Sequence, residues 1–269
     1  MGDSEATRQA WYEDLLRAHA GGPPADSPTA RHGALNLEEA YAVQARLVDH
    51  KVRSGERVIG WKVGATSRRV MNQLEIKEPI FGCMTSGGVV CDPAEVRASG
   101  FQRLAVEGEI AVVMKQDLSG PGVTTADVVS AAAGIMAAVE LVDCRIAGWS
   151  PTVEEAVADN AFHAGVVLGP YIKPLHGYDP ALEGVIMRKN GMLLASACGV
   201  EAMGSPLHVV SWLADHLARF DRQIEKGDII LTGSLTEFFH VSAGDVLEIS
   251  YSTLGSIRKI STRHYKERD

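Results

Sequence analysis

An α+β fold with a mixed, largely antiparallel sheet is predicted for this chain, from three observations. Strand-like runs outnumber helical ones, several are joined by tight turns, and no regular alternation of strand and helix runs along the chain. The clearest turn lies in "VIMRKNGMLLASA", where Asn190-Gly191 suits a type I′ hairpin between two strand-like runs. The chain is 269 residues long, 46% hydrophobic and 22% charged. That is an ordinary globular composition, long enough to bury a large core. A helical segment over 1–56 is expected to pack on a main domain over 57–269.

The elements follow in order. Residues 4–20 suit an amphipathic helix carrying Ala10, Trp11, Leu15 and Ala18, and "GGPP" at Gly21–Pro24 stops it. Residues 21–35 read as a loop. Asn36 with Glu39 three residues later forms a capping-box signature for a second helix, ended by Ser54-Gly55. Leu37, Ala40, Tyr41, Leu47 and Val48 make its apolar stripe. "VIGWKVG" from Val58 is a strand with Trp61 and Val63 on one face and Lys62 on the other. A short helix near 67–75, a turn at "EPIFG" and a strand over 104–115 come next. A loop then enters a helix at about Thr125, and "GIMAAVELVDCR" is a strand that aligns Met136, Ala138 and Glu140. "FHAGVVLG" is another strand. Ser205-Pro206 opens a helix running to about Phe220, and "DIILTG", "DVLEISY" and "GSIRKIS" close the chain as strands.

A formal net charge of −8 argues against nucleic acid or an anionic membrane as partner. Cys83, Cys91, Cys144 and Cys198 show neither CxxC spacing nor a dense framework, so free thiols in a reducing cytoplasm are expected. The start lacks a basic segment followed by an apolar one, and Glu140 interrupts the most apolar run too early for a membrane span. A P-loop, a dinucleotide fingerprint and a GxSxG elbow are all absent, which argues against nucleotide cofactors and serine-hydrolase chemistry.

Chemistry concentrates in a few charged residues set in apolar strands. In "VEGEIAVVM", Glu107 and Glu109 fall on one strand face, and like charges side by side need compensation. Taken alone the pair fits a solvated strand face. Glu140, a lone carboxylate inside "GIMAAVELV", shifts the balance, because a buried carboxylate requires a proton, a cation or hydrogen bonds. Three carboxylates from two strands form an oxygen-ligand set suited to Mg²⁺ or Mn²⁺. Zinc fits less well, with no His or Cys at ligand spacing. Lys62, inside an otherwise apolar strand, can pair with a carboxylate or an anionic ligand. In "LTGSL", Thr232, Ser234 and the amides around Gly233 can hold a carboxylate, or simply turn the chain. Asp159-Asn160 reads as a turn and His163 as a satisfied strand histidine.

The ordered segments "GERVIGWKVGATS", "EGEIAVVMKQDLSGPGVTTADV", "AAVELVDCRIAGW", "VADNA" and "DIILTGSL" resemble the 2-keto-4-pentenoate hydratase and 4-oxalocrotonate decarboxylase family of the fumarylacetoacetate-hydrolase superfamily. The resemblance covers nearly the whole chain from about Leu37. It implies a mixed β-roll core and a Mg²⁺ or Mn²⁺ site held by Glu107, Glu109 and Glu140, with Lys62 as the active-site lysine. It also implies a small 2-oxo or 2-hydroxydienoate acid as substrate, in aromatic-compound catabolism, and a homo-oligomer. Lys62, with Asp159, is expected to steer proton transfers in hydration to a 4-hydroxy-2-oxo acid. A 4-oxalocrotonate-type decarboxylase is the alternative, and a non-catalytic relative that binds a metal–oxo-acid complex is a third. Ile80 stands in "PIFG" where many hydratases carry Asp, and Phe162 stands where "DNAS" has a small hydroxyl residue. Both suggest an apolar substrate pocket. The superfamily's C–C hydrolases use a histidine ahead of the E-x-E; none occurs between Pro79 and Glu107, which counts against hydrolysis.

Overall fold

The structure, a computed structural model, describes residues 2–91 and 93–263. Its helices are α1 (Gly2–His19), α2 (Pro28–His32), α3 (Leu37–Arg53), α4 (Arg68–Gln73), α5 (Thr125–Ala131), α6 (Val153–Ala158) and α7 (Pro206–Leu217). The strands are β1 (Val58–Gly64), β2 (Ile80–Thr85), β3 (Val89–Cys91), β4 (Ala94–Arg97), β5 (Ala105–Met114), β6 (Ala132–Val142), β7 (His163–Leu168), β8 (Gly184–Lys189), β9 (Met192–Cys198), β10 (Ile229–Leu231), β11 (Phe239–His240), β12 (Val246–Tyr251) and β13 (Ser256–Arg263). The fold is the α+β, mixed-sheet arrangement that the patterning predicts.

One sheet runs β2-β1-β10-β5-β6-β7-β3, with β11 also on β5, and a second runs β4-β13-β12-β8-β9. The pairs β1–β10, β3–β7 and β4–β13 are parallel and the rest antiparallel. The second sheet packs on one face of β5, where a Cβ on Gly108 would lie 3.2 Å from Met187 Sδ. The Tyr251 hydroxyl from β12 locks this packing, 2.8 Å from the Glu109 carbonyl and 2.7 Å from the Ala138 carbonyl. The opposite face of β5 and β6 is therefore the one left for chemistry.

Helix α3 forms as its capping box predicts, with Asn36 Oδ1 accepting from Glu39 N and Glu39 Oε2 from Asn36 N. Its buried residues include Ala40, Tyr41, Leu47 and Val48, but Leu37, its first residue, stays 38% exposed. Trp11 and Leu15 of α1 and Tyr41 of α3 share one buried cluster with Ile110, Val139 and Ile249. The hairpin turns at Asn190-Gly191, both at positive φ, with Lys189 opposite Met192.

Three segments differ from expectation. Ser27 and Pro28 open α2 inside the expected 21–35 loop, with Ser27 Oγ accepting from Ala30 N. "EPIFG" is not simply a turn: Ile80 pairs with Gly64, and all six residues of β2 are buried. Helix α6 goes unforeseen although Thr152 and Glu155 make a capping box. Cys83, Cys144 and Cys198 are free thiols, while the Cys91 side chain lies outside the described residues. No described helix is long and apolar enough to cross a membrane.

Candidate metal centre

Cross-strand register brings the charged residues together. Glu107 pairs with Glu140 and Glu109 with Ala138, so both β5 glutamates and Glu140 project from one face. Lys62 belongs to the same face through the row Gly82, Lys62, Leu231, Ala111 and Met136, which runs across five strands. One oxygen from each of Glu107, Glu109 and Glu140 lies within 4.8 Å of the others. Beyond them the face is apolar, carrying Met84, Ala111, Met136, Ala138, Val166 and Leu231. The charges therefore stand over a low-dielectric floor.

Glu109 and Glu140 are fully buried, Lys62 nearly so, and Glu107 partly open. Each buried carboxylate has one oxygen tethered. Glu109 Oε2 accepts from Gly233 N at 2.9 Å, and Glu140 Oε1 faces His163 Nδ1 at 2.8 Å. The other oxygens, Glu109 Oε1 and Glu140 Oε2, are buried without a hydrogen bond. Glu140 Oε2 has only an ion pair, 3.2 Å from Lys62 Nζ. Native interiors rarely leave such oxygens unbonded, so their presence in one place makes this a candidate binding site.

The charges define the kind of ion that the cluster suits. Three carboxylates against one ammonium leave a formal charge of −2, which one divalent cation cancels. Without it, burial and the Glu140 charge push Glu107 up to about 7 and Glu109 well above the usual carboxylate range. Burial also penalises the Glu140 charge, but Lys62 and the His163 hydrogen bond outweigh it and hold Glu140 low. Burial likewise works against the Lys62 charge, and the three glutamates outweigh it and keep Lys62 protonated. The oxygen-only donor set, its compactness and its charge all fit Mg²⁺ or Mn²⁺.

Lys62 is aimed by a strained turn. Asn160, Ala161 and Phe162 have φ of 54°, 50° and 65°, left-handed values that cost a non-glycine residue roughly 1–2 kcal/mol each. The Asn160 side chain pins the turn by bonding both the N–H and the carbonyl of Cys83 at 2.8 Å. The Ala161 carbonyl then accepts from Lys62 Nζ at 2.9 Å.

Other candidates sit differently. The Asp159 carboxylate is fully buried but bonds Arg145 N at 2.8 Å and His19 Nε2 at 2.9 Å, with the Arg145 guanidinium 3.5 Å away. These contacts do not join it to the glutamates. Thr232 Oγ1 donates to the Ile110 carbonyl and Ser234 Oγ to the Thr236 carbonyl, so neither hydroxyl is turned to an anion. Gly233 matters through its amide and its φ of +92°, since a Cβ there would fall 2.1 Å from Thr66 Oγ1. Ile80 Cγ1 stands beside Lys62, both within 3.6 Å of where a Cβ on Gly64 would be. Phe162 is half-buried against the core.

Sequence reasoning took His163 for a satisfied strand histidine; its partner proves to be Glu140, reached through a β-bulge. Leu141 pairs with Gly165 but Val142 pairs with His163, so Ala164 is extra on β7. Strict alternation would put His163 on the face away from Glu140; the bulge turns it onto the same face. The lone signal was a polar ring opening an apolar strand.

The model of the fumarylacetoacetate (FAA) hydrolase C-terminal family matches residues 42–260. A 2-hydroxyhexa-2,4-dienoate hydratase of Comamonas testosteroni is 35% identical over 254 residues, 94% of this chain and 95% of that protein. A 2-hydroxypent-2,4-dienoate hydratase of Pseudomonas putida is 38% identical over 194 residues, 71% of this chain and 87% of that one. Among solved structures, 4-oxalocrotonate decarboxylase from Pseudomonas putida G7 with magnesium and adipate superposes with a TM-score of 0.92 at 30% identity, covering 96% of this chain and 97% of that chain. The same decarboxylase with calcium and acetate gives 0.91, again at 30% identity, covering 96% of this chain and 98% of that one.

Proposed function

The chain belongs to the fumarylacetoacetate hydrolase family, and from that premise we propose that it is a metal-dependent hydratase, a hydro-lyase that adds water to a 2-hydroxy-2,4-dienoate to give a 4-hydroxy-2-oxo acid. The observation that carries the reading is the convergence of Glu107, Glu109 and Glu140, with two buried unbonded oxygens, beside a charged Lys62. Likeness to dienoate hydratases over most of the chain supports it.

Glu107, Glu109 and Glu140 would hold Mg²⁺ or Mn²⁺, which when bound supplies Lewis-acid polarisation of the substrate oxygen at C2. In the first step the dienol ketonises: its hydroxyl proton leaves and a proton arrives at C5, giving the 2-oxo-3-enoate. Water then adds across C3 and C4, hydroxyl to C4 and proton to C3. Negative charge develops on the C2 oxygen in both steps. Lys62 directs one N–H to the Ala161 carbonyl and lies against Glu140, which leaves a further N–H for that oxygen. The apolar floor strengthens these interactions by excluding water. We assign Asp159 to holding Arg145 and His19, leaving proton transfer to Lys62 and water. Gly233 acts on Glu109 through its amide.

Ile80 beside Lys62, with Phe162, suits a monocarboxylate with an apolar tail. The overall likeness to a decarboxylase favours a second reading, loss of carbon dioxide from a 4-oxalocrotonate-type acid. That substrate's second carboxylate needs a cationic or hydrogen-bonding partner that Ile80 and Phe162 do not provide. Free thiols accord with a cytoplasmic location. Exposed Met192 and Leu193 on the edge strand β9 accord with a homo-oligomer. The deciding experiment incubates the protein and Mg²⁺ with 2-hydroxypenta-2,4-dienoate and, separately, with 4-oxalocrotonate. Dienol absorbance should fall with formation of the 4-hydroxy-2-oxo acid. Carbon dioxide from 4-oxalocrotonate with no hydration product would assign the decarboxylase, and no turnover of either would leave a binding protein.

A further inference from the structure

His163 is the one group around the carboxylates that the proposed chemistry does not use. Its ring is 3% exposed, and its single hydrogen bond is Nδ1 to Glu140 Oε1 at 2.8 Å. A carboxylate that holds a cation has no hydrogen to give, so in that role Glu140 accepts and Nδ1 carries the hydrogen and donates. The other nitrogen, Nε2, is buried and unbonded. The fold thus spends a β-bulge and an unsatisfied nitrogen to bring this one N–H to this one oxygen.

The consequence lies in how many oxygens Glu140 can present. A free carboxylate binds a cation through one oxygen or two. Ca²⁺ readily takes both, in shells of about 6–8 oxygens at about 2.3–2.6 Å, whereas Mg²⁺ demands a tight octahedron at about 2.0–2.1 Å. With Oε1 held by His163, Glu140 faces the cluster with Oε2 alone. Glu109 is tethered in the same sense by a different donor, Oε2 on Gly233 N and Oε1 free. Both deep carboxylates are therefore limited to one oxygen, and only Glu107 lacks such a tether.

Resting on the metal reading given above, we propose that His163 is a positioning residue: it restricts Glu140 to one cation-facing oxygen and so sets the preference for Mg²⁺ or Mn²⁺ over Ca²⁺. Partners that orient metal ligands typically contribute about 10–100-fold to metal affinity. The rule that the second partner fixes the ligand's orientation applies here to a carboxylate held by a histidine.

The test measures Mg²⁺, Mn²⁺ and Ca²⁺ binding by calorimetry in wild type, His163→Asn and His163→Gln, with folding checked by circular dichroism. Asparagine puts an amide N–H close to the position of Nδ1, whereas glutamine carries it to the position of Nε2, beyond reach of Oε1. His163→Asn should keep Mg²⁺ affinity within about threefold of wild type and retain the Mg²⁺/Ca²⁺ ratio. His163→Gln should lose about 10–100-fold in Mg²⁺ affinity and much less in Ca²⁺ affinity, shifting the ratio toward calcium. Equal losses in the two variants, or an unchanged ratio in His163→Gln, would overturn the role of His163 while leaving the metal site standing. Failure of the wild type to bind any of the three ions would overturn both. Should His163→Gln not fold, His163→Leu provides the same loss of the donor, read against His163→Asn.

Discussion

Two buried polar networks lie within a few residues of each other in sequence, and they are built on opposite principles. Around Asp159 the groups are well partnered. Asp159 takes hydrogen bonds from Arg145 N and His19, while Arg145 donates to the carbonyls of Asp143 and His163. Asp143 in turn accepts from the amides of Gln102 and Arg103. Around Glu140 the opposite holds: like charges face each other, and Glu109 Oε1, Glu140 Oε2 and His163 Nε2 are buried without hydrogen bonds. Burial alone does not separate them, since Asp159, Glu109 and Glu140 are all fully buried. Satisfaction does. A complete network holds the chain in place, and an incomplete one with a net negative charge suits a cationic ligand.

The sharpest way to break the comparison is to neutralise one member of the incomplete network. Glu109→Gln keeps the shape, removes the ionisable group and leaves its amide oxygen to accept from Gly233 N. Turnover should fall by about 10³-fold or more, and Mg²⁺ should no longer raise the melting temperature, because a ligand stabilises only what binds it. The metal-free stability of the variant should match or exceed that of wild type, since a neutral amide needs no proton to sit in the buried site. A large loss of metal-free stability, with Mg²⁺ stabilisation intact, would mean that these carboxylates hold the fold instead.

The next contrast sets Lys62→Ala against Asp159→Asn. Lys62→Ala should cost about 10²–10³-fold in turnover with a smaller effect on folding, and Lys62→Arg should not rescue fully because a planar fork replaces a compact ammonium. Asp159→Asn should do the reverse, losing up to about 3–5 kcal/mol of stability by leaving Arg145 short of its counter-charge. The folded fraction of that variant should turn over within a few-fold of wild type. Urea titrations and initial rates on the same preparations decide it; a turnover collapse in stable Asp159→Asn would restore Asp159 as a proton carrier.

Much of this was legible in the sequence, and what was not had physical causes. Glu107, Glu109, Glu140 and Lys62 stood out because charge in an apolar strand is costly and period-2 geometry assigns faces without further information. Capping chemistry located α3 and α7 for a similar reason: the signal is local. The hydrogen bonds of Thr232 and Ser234 were not legible, because a hydroxyl near a glycine turn can serve the backbone as readily as an anion, and only the fold shows which carbonyls it meets. The partners of Asp159 were not legible, because His19 and Arg145 come from distant segments. The contact of His163 with Glu140 was not legible, because it depends on a bulge that inverts the face alternation alone would give and leaves no mark in composition.

The smallest expected effect tests the complete network by pH. His19 is almost fully buried against Asp159, and burial, with the nearby Arg145 charge, outweighs the attraction of Asp159 and lowers its pKa to about 4. Its unfolded value is near 6.5. Between those values the unfolded chain binds a proton that the folded chain refuses, so stability falls as pH falls, by at most about 1.4 kcal/mol per unit. Above pH 6.5 the contribution is fully present, and by about pH 4 roughly 3 kcal/mol has been lost. His19→Gln can place an amide N–H near Nε2 to keep the bond to Asp159, and it does not titrate. The variant should therefore gain on wild type as pH drops: the difference in unfolding free energy measured in urea at pH 7.5 should shift in its favour by about 2–3 kcal/mol at pH 4.5. Comparing variant with wild type cancels the carboxylates common to both. A difference that stays constant across that range would show that His19 titrates alike in the folded and unfolded chain, and one that moves in favour of wild type would show that His19 is protonated in the fold, making the Asp159 network an ion-pair cluster rather than a neutral, closed scaffold.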